Sequence, residues 1–246
     1  MTSDIDKDNE YDRDSEFRHE QQHLEGVVGS MDAAIQHHAS LRPITAGDTK
    51  AAGIVKTLMD TDLESLKGAR DRPYFGRIDY STGEGEEPRR IYIGDIHVAN
   101  KDPRFFVVSR NAPVARLYYR PTDGFYEVPD RAGNYTKRET LVELKRILQI
   151  EDARLLDFED VLRLPPGRDV LQSTSSAILD EKLSDASDEH FPDAVETIQP
   201  EQYEQIAATQ KPVLIVQGAA GSGKSLIGLH RIDFMLSPYS NIGNLN

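Results

Sequence analysis

Leu24, Val27, Val28, Met31, Ile35, His38 and Leu41 recur at steps of three or four residues, the spacing of one face of an α-helix. Pro43 and Gly47 interrupt the stripe, and a second one follows in Ile54, Val55, Leu58, Met59, Leu63 and Leu66. Two amphipathic helices around a short breaker predict a helical hairpin over residues 21–71. Two ordinary helices laid on a larger core would give the same pattern. Residues 1–20 alternate charges without an apolar period and read as a disordered acidic lead.

The pattern changes in residues 72–165. Tyr74–Tyr80, Arg90–Val98, Phe105–Ser109 and Val114–Tyr119 are β-branched and aromatic runs, separated by STGEGEEP, ANKDP and RNAP. Those separators carry the Gly, Pro and Asn that turns require, so the spacing predicts a small antiparallel β region. Helical spacing returns over Lys137–Ile150 and Asp152–Leu164 and stops at Pro165-Pro166-Gly167. Residues 166–195 are polar and read as a linker with at most one short helix.

Residues 196–246 have a different organisation. Pro200–Thr209 reads as a short helix, and Pro212–Gln217 (PVLIVQ) is an almost unbroken apolar run. Such a run is expected of a strand buried on both faces of a parallel sheet. The loop GAAGSGKS follows it, and a helix is predicted from Lys224 to about Leu236. The fold class expected is therefore an α+β N-terminal region, a helical hairpin plus a small β region. It leads into the first strand, phosphate loop and helix of a RecA-like α/β domain.

Composition narrows the chemistry. Of 246 residues 38% are hydrophobic and 29% charged, which is the balance of a soluble globular chain with polar segments. There is no cysteine, which excludes disulfides, thiolate zinc sites and a cysteine nucleophile, and which fits a cytoplasmic setting. No apolar stretch reaches the ~20 residues needed to span a bilayer. The formal net charge of −13 makes indiscriminate nucleic-acid binding a poor expectation, because phosphate affinity comes from Lys and Arg.

Gly218-Ala219-Ala220-Gly221-Ser222-Gly223-Lys224-Ser225 matches G-x-x-x-x-G-K-[ST] in full, between an apolar run and a helix. Gly218 and Gly223 let the backbone turn tightly and bring its amides to a phosphate, and the helix N-terminus adds partial positive charge. Lys224 is placed to reach the β- and γ-phosphates of ATP, and the Ser225 hydroxyl to coordinate Mg²⁺. Hydrolysis also needs a second acidic Mg²⁺ ligand and a group that orients water. The 21 residues after Ser225 complete one helix, and the expectation is a chain without that catalytic half. Asp157, Glu159 and Asp160 follow an apolar pair upstream, but they sit in the helical pattern and read as a solvated face.

Glu196-Thr-Ile-Gln-Pro-Glu-Gln202 precedes the apolar run by ten residues and resembles the Q-motif of UvrD-type superfamily 1 helicases. The resemblance gives Gln202 the role of reading adenine, and a side-chain amide can both donate and accept towards that edge. Tyr74-Phe-Gly-Arg-Ile-Asp79, Ile91-Tyr-Ile-Gly94 and Ala112-Pro-Val-Ala-Arg116 resemble the N-terminal part of HelD-like proteins. Ile198 through Arg231 follows the corresponding family pattern around the phosphate loop. The resemblance implies an ATPase that recycles bacterial RNA polymerase, with DNA contacts made by parts beyond this region. It also implies a coiled coil in the position of residues 22–70. Val108-Ser109-Arg110-Asn111 departs from the family's Asp-Trp-Arg, and Asp48 is the lone acid of the hairpin turn. The expectation is the ATP-binding N-terminal portion of such a motor. The alternative is a non-catalytic module that interacts with RNA polymerase or another protein and keeps a nucleotide-binding loop.

Overall fold

The computed structural model describes residues 12–40, 50–82, 87–99, 105–119, 123–129, 134–164, 198–208, 214–219 and 221–239. Helix α1 (Arg13–Ser40) begins inside the stretch expected to be disordered. Its start is favoured locally: Asp12 Oδ1 accepts the Asp14 amide at 3.1 Å, and Asp14 and Glu16 lie in the first turn, at the positive end of the helix dipole. Residues 1–11 lie outside the described part. Helix α2 (Lys50–Ala69) ends against α1, where Arg70 donates to both Asp32 carboxylate oxygens at 2.6 and 3.0 Å. The expected hairpin turn with Asp48 lies outside the described residues.

Six strands follow: β1 (Gly76–Ser81), β2 (Arg89–Gly94), β3 (Val107–Ser109), β4 (Asp123–Pro129), β5 (Tyr135–Glu151) and β6 (Arg154–Arg163). The sheet order is β3-β2-β1-β5-β4, with β6 also paired to β5. All pairs are antiparallel except β2 with β3, which is parallel, so the sheet is mixed and not purely antiparallel. Two further expectations are corrected. Val114–Tyr119 is no strand: Pro113 starts a 3₁₀ turn, and α3 (Arg116–Tyr119) continues it. Lys137–Ile150 and Asp152–Leu164 are not helices but the long hairpin β5–β6, closed by Asp152 and Ala153 at φ 48° and 59°. Positive φ at both central residues is what a two-residue hairpin turn needs to match strand twist.

The physical reason for the second error is a set of β-bulges. Glu143 is an extra residue opposite β1, and Leu156 and Val161 are extra residues opposite β5. Each bulge moves the following side chain to the other face. Strand β6 therefore buries Leu155, Phe158 and Leu162, a spacing that mimics a helix.

Both faces of the sheet are covered. Leu24, Val27 and Met31 of α1 pack on Tyr74, Tyr92, Val107, Leu148, Ile150, Leu155 and Phe158. On the opposite face Ile78, Tyr80, Ile91, Ile93, Val142, Ile147 and Leu162 join a core with Val114, Leu117 and Tyr118. The same core takes in Ile198, helix α4 (Pro200–Ile206) through Tyr203 and Ile206, and helix α5 (Lys224–Leu236) through Ile227 and Phe234.

The α1 face of the sheet also holds charge. Arg146 donates to Glu16 and Glu20 at 2.7 and 2.6 Å and to Asp160 at 2.6 and 3.2 Å. Arg77 donates to Glu20 at 2.6 Å and to Asp79 at 2.8 and 2.5 Å, and the Tyr92 hydroxyl donates to Glu20 at 2.9 Å. Each guanidinium thus bridges strand carboxylates and the first turns of α1, which fixes that helix on the sheet.

Leu214–Gln217 adopts no strand, and Pro212 and Val213 lie outside the described residues. Among the described residues no strand pairs with this segment; Val216 packs against the core, and Ile215 points away from it. Ile215 is 78% exposed, and on α5 Leu229, Ile232, Met235 and Leu236 are 48–82% exposed. Contiguous apolar surface of this kind drives association. The 246-residue chain is expected to self-associate in sedimentation at micromolar concentration, and Leu229→Glu with Ile232→Glu to restore a monomer. A monodisperse unaltered chain would refute this.

Candidate nucleotide-binding site

Helix α5 opens directly from the loop. Gly223 is its N-cap at φ 75°, ψ 15°, and Gly221 has φ 81°. A side chain at 223 would be strained by that backbone and would lie 3.2 Å from Gln202 Nε2. At Gly218 an added Cβ would come within 2.5 Å of Ser222 Oγ. Lys224 Nζ folds back over the loop, donating to the carbonyls of Gly218 at 3.1 Å and Ala219 at 2.5 Å. The first amides of α5 have no intrahelical acceptors and carry the positive end of the helix dipole. Gly218, Ala219, Gly221, Ser222 and Ser225 are exposed, so the loop and the helix start face solvent. Ala220 lies outside the described residues.

Gln202 sits at the third position of α4. Its Oε1 accepts the Gln199 amide at 3.1 Å in a capping box, and its amide nitrogen stands beside Gly223. The structure therefore brings Gln202, Gly218, Gly221, Ser222, Gly223, Lys224 and Ser225 to one place. Arg231 on α5 donates to the Gln205 carbonyl at 2.9 Å, which ties the end of α4 to the loop helix. Tyr203, next to Gln202, stacks on Tyr119 with ring centroids 4.7 Å apart and planes 8° from parallel.

The upstream acids are placed elsewhere. Asp160 is paired with Arg146 and Arg163, and Asp157 with Arg13, all on β6 and not on a helix. Among the described residues no group of three His, Asp or Glu is arranged to hold a metal ion. Sequence reasoning missed a second cluster, at the joint between sheet and α5. Arg110, just after β3, donates to His230 Nδ1 at 2.8 Å and to Asp233 at 2.9 Å, and Asn111 donates to the same Asp233 oxygen at 2.9 Å. Burial, reinforced by the Arg110 charge, pushes the His230 ring down to about 4. Nothing in the spacing of Arg110, His230 and Asp233 announces their meeting, because 120 residues separate the partners.

No helix among the described residues is long and apolar enough to cross a membrane. No curated protein matches the chain. The family model described as DNA helicase IV HelD, N-terminal domain, matches residues 17–176, which takes in α1 from its second turn, α2 and the whole mixed sheet and ends before Gln202 and the phosphate loop. With well over half of its length matched in this way, the chain belongs to the HelD helicase family through its N-terminal domain.

Proposed function

We propose that this chain is the ATP-binding N-terminal portion of a UvrD- or HelD-like superfamily 1 motor, of the kind that remodels RNA polymerase in the cytoplasm. The observation that carries the reading is the convergence on one glycine. Gly223 caps α5, precedes Lys224 and Ser225, and lies next to Gln202 of the preceding helix, so that an added Cβ would meet the Gln202 amide nitrogen. An incoming nucleotide would exchange the loop carbonyls that now hold Lys224 for phosphate oxygens, and the α5 amides would take the remaining acceptors. Ser225 is the Mg²⁺ ligand and Gln202 the adenine reader in this reading. The α1–α2 arm and the sheet are the polymerase-facing part, and DNA contacts belong to other parts of the motor.

A second reading keeps weight from the family match, which covers the N-terminal domain and not the loop. In it, residues 22–130 form a polymerase-interaction module and the loop is a remnant. Equilibrium dialysis separates the two. The motor reading expects retention of ATP that depends on Mg²⁺ and is reversed by EDTA. The retained ATP should stay intact, because the acids considered for the catalytic half, Asp157 and Asp160, are engaged by Arg13, Arg146 and Arg163 on β6. No retention at millimolar MgATP favours the module.

A further inference from the structure

Arg110 connects the sheet to α5 at a joint that is otherwise apolar apart from the Asn111–Asp233 hydrogen bond and the Arg116 cation over Phe234. Its backbone is fixed to the sheet, since its amide donates to the Gly94 carbonyl at 2.8 Å at the end of β2. Its Nε lies 3.0 Å from an Asp95 carboxylate oxygen. The other end of the guanidinium reaches α5, at His230 and Asp233. A guanidinium can only donate, so His230 Nδ1 is the acceptor and the ring is neutral there. His230 and Asp233 are one turn apart and lie on the face of α5 turned to the sheet. Arg116 stands over the Phe234 ring at 5.6 Å beside them. Asp233 is nine residues along the helix from Lys224, about 13 Å by helical rise.

A rigid helix transmits rotation from one end to the other, and the azimuth of Lys224 and Ser225 depends on how α5 is seated. Apolar packing of Ile227 and Phe234 resists separation but tolerates sliding, whereas a forked guanidinium bound to two side chains specifies direction. We propose that Arg110 is a positioning residue for the phosphate loop: by holding His230 and Asp233 it sets the rotation of α5 and thereby aims Lys224 and Ser225 at the nucleotide. The proposal rests on the nucleotide reading above. It makes the joint between sheet and α5 a two-way connection, because whatever the sheet does to loop affinity, nucleotide must do to the joint.

The test is titration of the 246-residue chain with MgADP by calorimetry, together with amide exchange at Ser109–Ala112. Arg110→Ala and Asp233→Ala are each expected to weaken binding by about fivefold or more, the lower range of inter-site coupling. The double variant should lose less than the sum of the two single losses, since the Arg110–Asp233 contact is removed by each of them. Bound MgADP should slow exchange at Ser109–Ala112 in the unaltered chain and leave it unchanged in Arg110→Ala, which a purely structural role would not produce. Asp233 is half exposed, so Asp233→Ala serves where Arg110→Ala fails to fold. Unaltered MgADP affinity in both variants, alongside loss in Lys224→Ala, overturns the positioning role and leaves the nucleotide reading standing. Failure of the unaltered chain to bind MgADP overturns both.

Discussion

Glu20→Ala is expected to destabilise the fold by about 3–5 kcal/mol, the usual cost of removing one partner from a buried ionic network. Glu20 is fully buried and is shared by Arg77, Arg146 and the Tyr92 hydroxyl. Its removal leaves two buried guanidiniums of like charge with only Asp79, Asp160 and the partly exposed Glu16 to compensate. It also weakens the hold of the sheet on the first turns of α1, leaving Glu16–Arg146 and Arg13–Asp157 to carry it. Burial alone would raise the Glu20 carboxyl; the charges of Arg77 and Arg146 outweigh it and hold the group below its ordinary value. Asp79 is lowered in the same way, with burial opposed by Arg77 and then Arg90. A carboxyl whose folded value is depressed contributes stability above its unfolded value and loses it as pH falls through the folded one. Stability should therefore hold at neutral pH and decline below about pH 4, near the unfolded carboxyl values. In Glu20→Ala that decline should be shallower. Urea unfolding at a series of pH values measures both; a loss under about 1 kcal/mol would mean the network is no stronger than a surface pair.

This network explains why part of the fold escaped the sequence. Strand β5 buries Leu144, Arg146, Leu148 and Ile150 on the α1 side, an alternation of period two. A charged residue at 146 hides that period, and Val142 and Ile147, buried on the other side, add apolar positions that break it up into a helix-like one. The residues of β5 are also good helix formers, so local propensity and tertiary pairing disagree and pairing wins. The first turns of α1 were misread for the same reason: Glu16 and Glu20 look like solvated charge until Arg77 and Arg146 are brought to them from strands far along the chain.

What was legible depended on local order. The helix stripe of Leu24, Val27 and Met31 is the face that packs on the sheet, because a helix writes its burial directly into consecutive residues. The alternating runs of β1 and β2 were legible likewise, with Ile78, Tyr80, Ile91 and Ile93 on one face and Tyr92 on the other. At the candidate site the loop and its glycines were readable as a motif, since their spacing is set by one continuous turn. Arg110 and Asp233 were not, because their meeting is a property of how α5 seats on the sheet.

Lys224→Ala is the second change of large expected effect. Lys224 Nζ is the one ammonium held inside the loop, on carbonyls that a phosphate would replace. A hydrogen bond to a charged group contributes about 1.5–3 kcal/mol, and at the upper value its loss is more than a hundredfold in Kd. The helix amides, Ser225 and Gln202 would remain without a cation of the protein on the phosphates, and an exposed loop has little affinity to spare. The substitution is at a half-buried position of the first helical turn, where Ala is a good helix former, so the fold itself should be undisturbed. The direct measurement is a calorimetric titration of MgADP into the unaltered chain and into Lys224→Ala under identical conditions. Measurable binding that disappears in the variant is the predicted result; equal affinity in the two, or binding that ignores Mg²⁺, would contradict the assignment of this loop to a nucleotide.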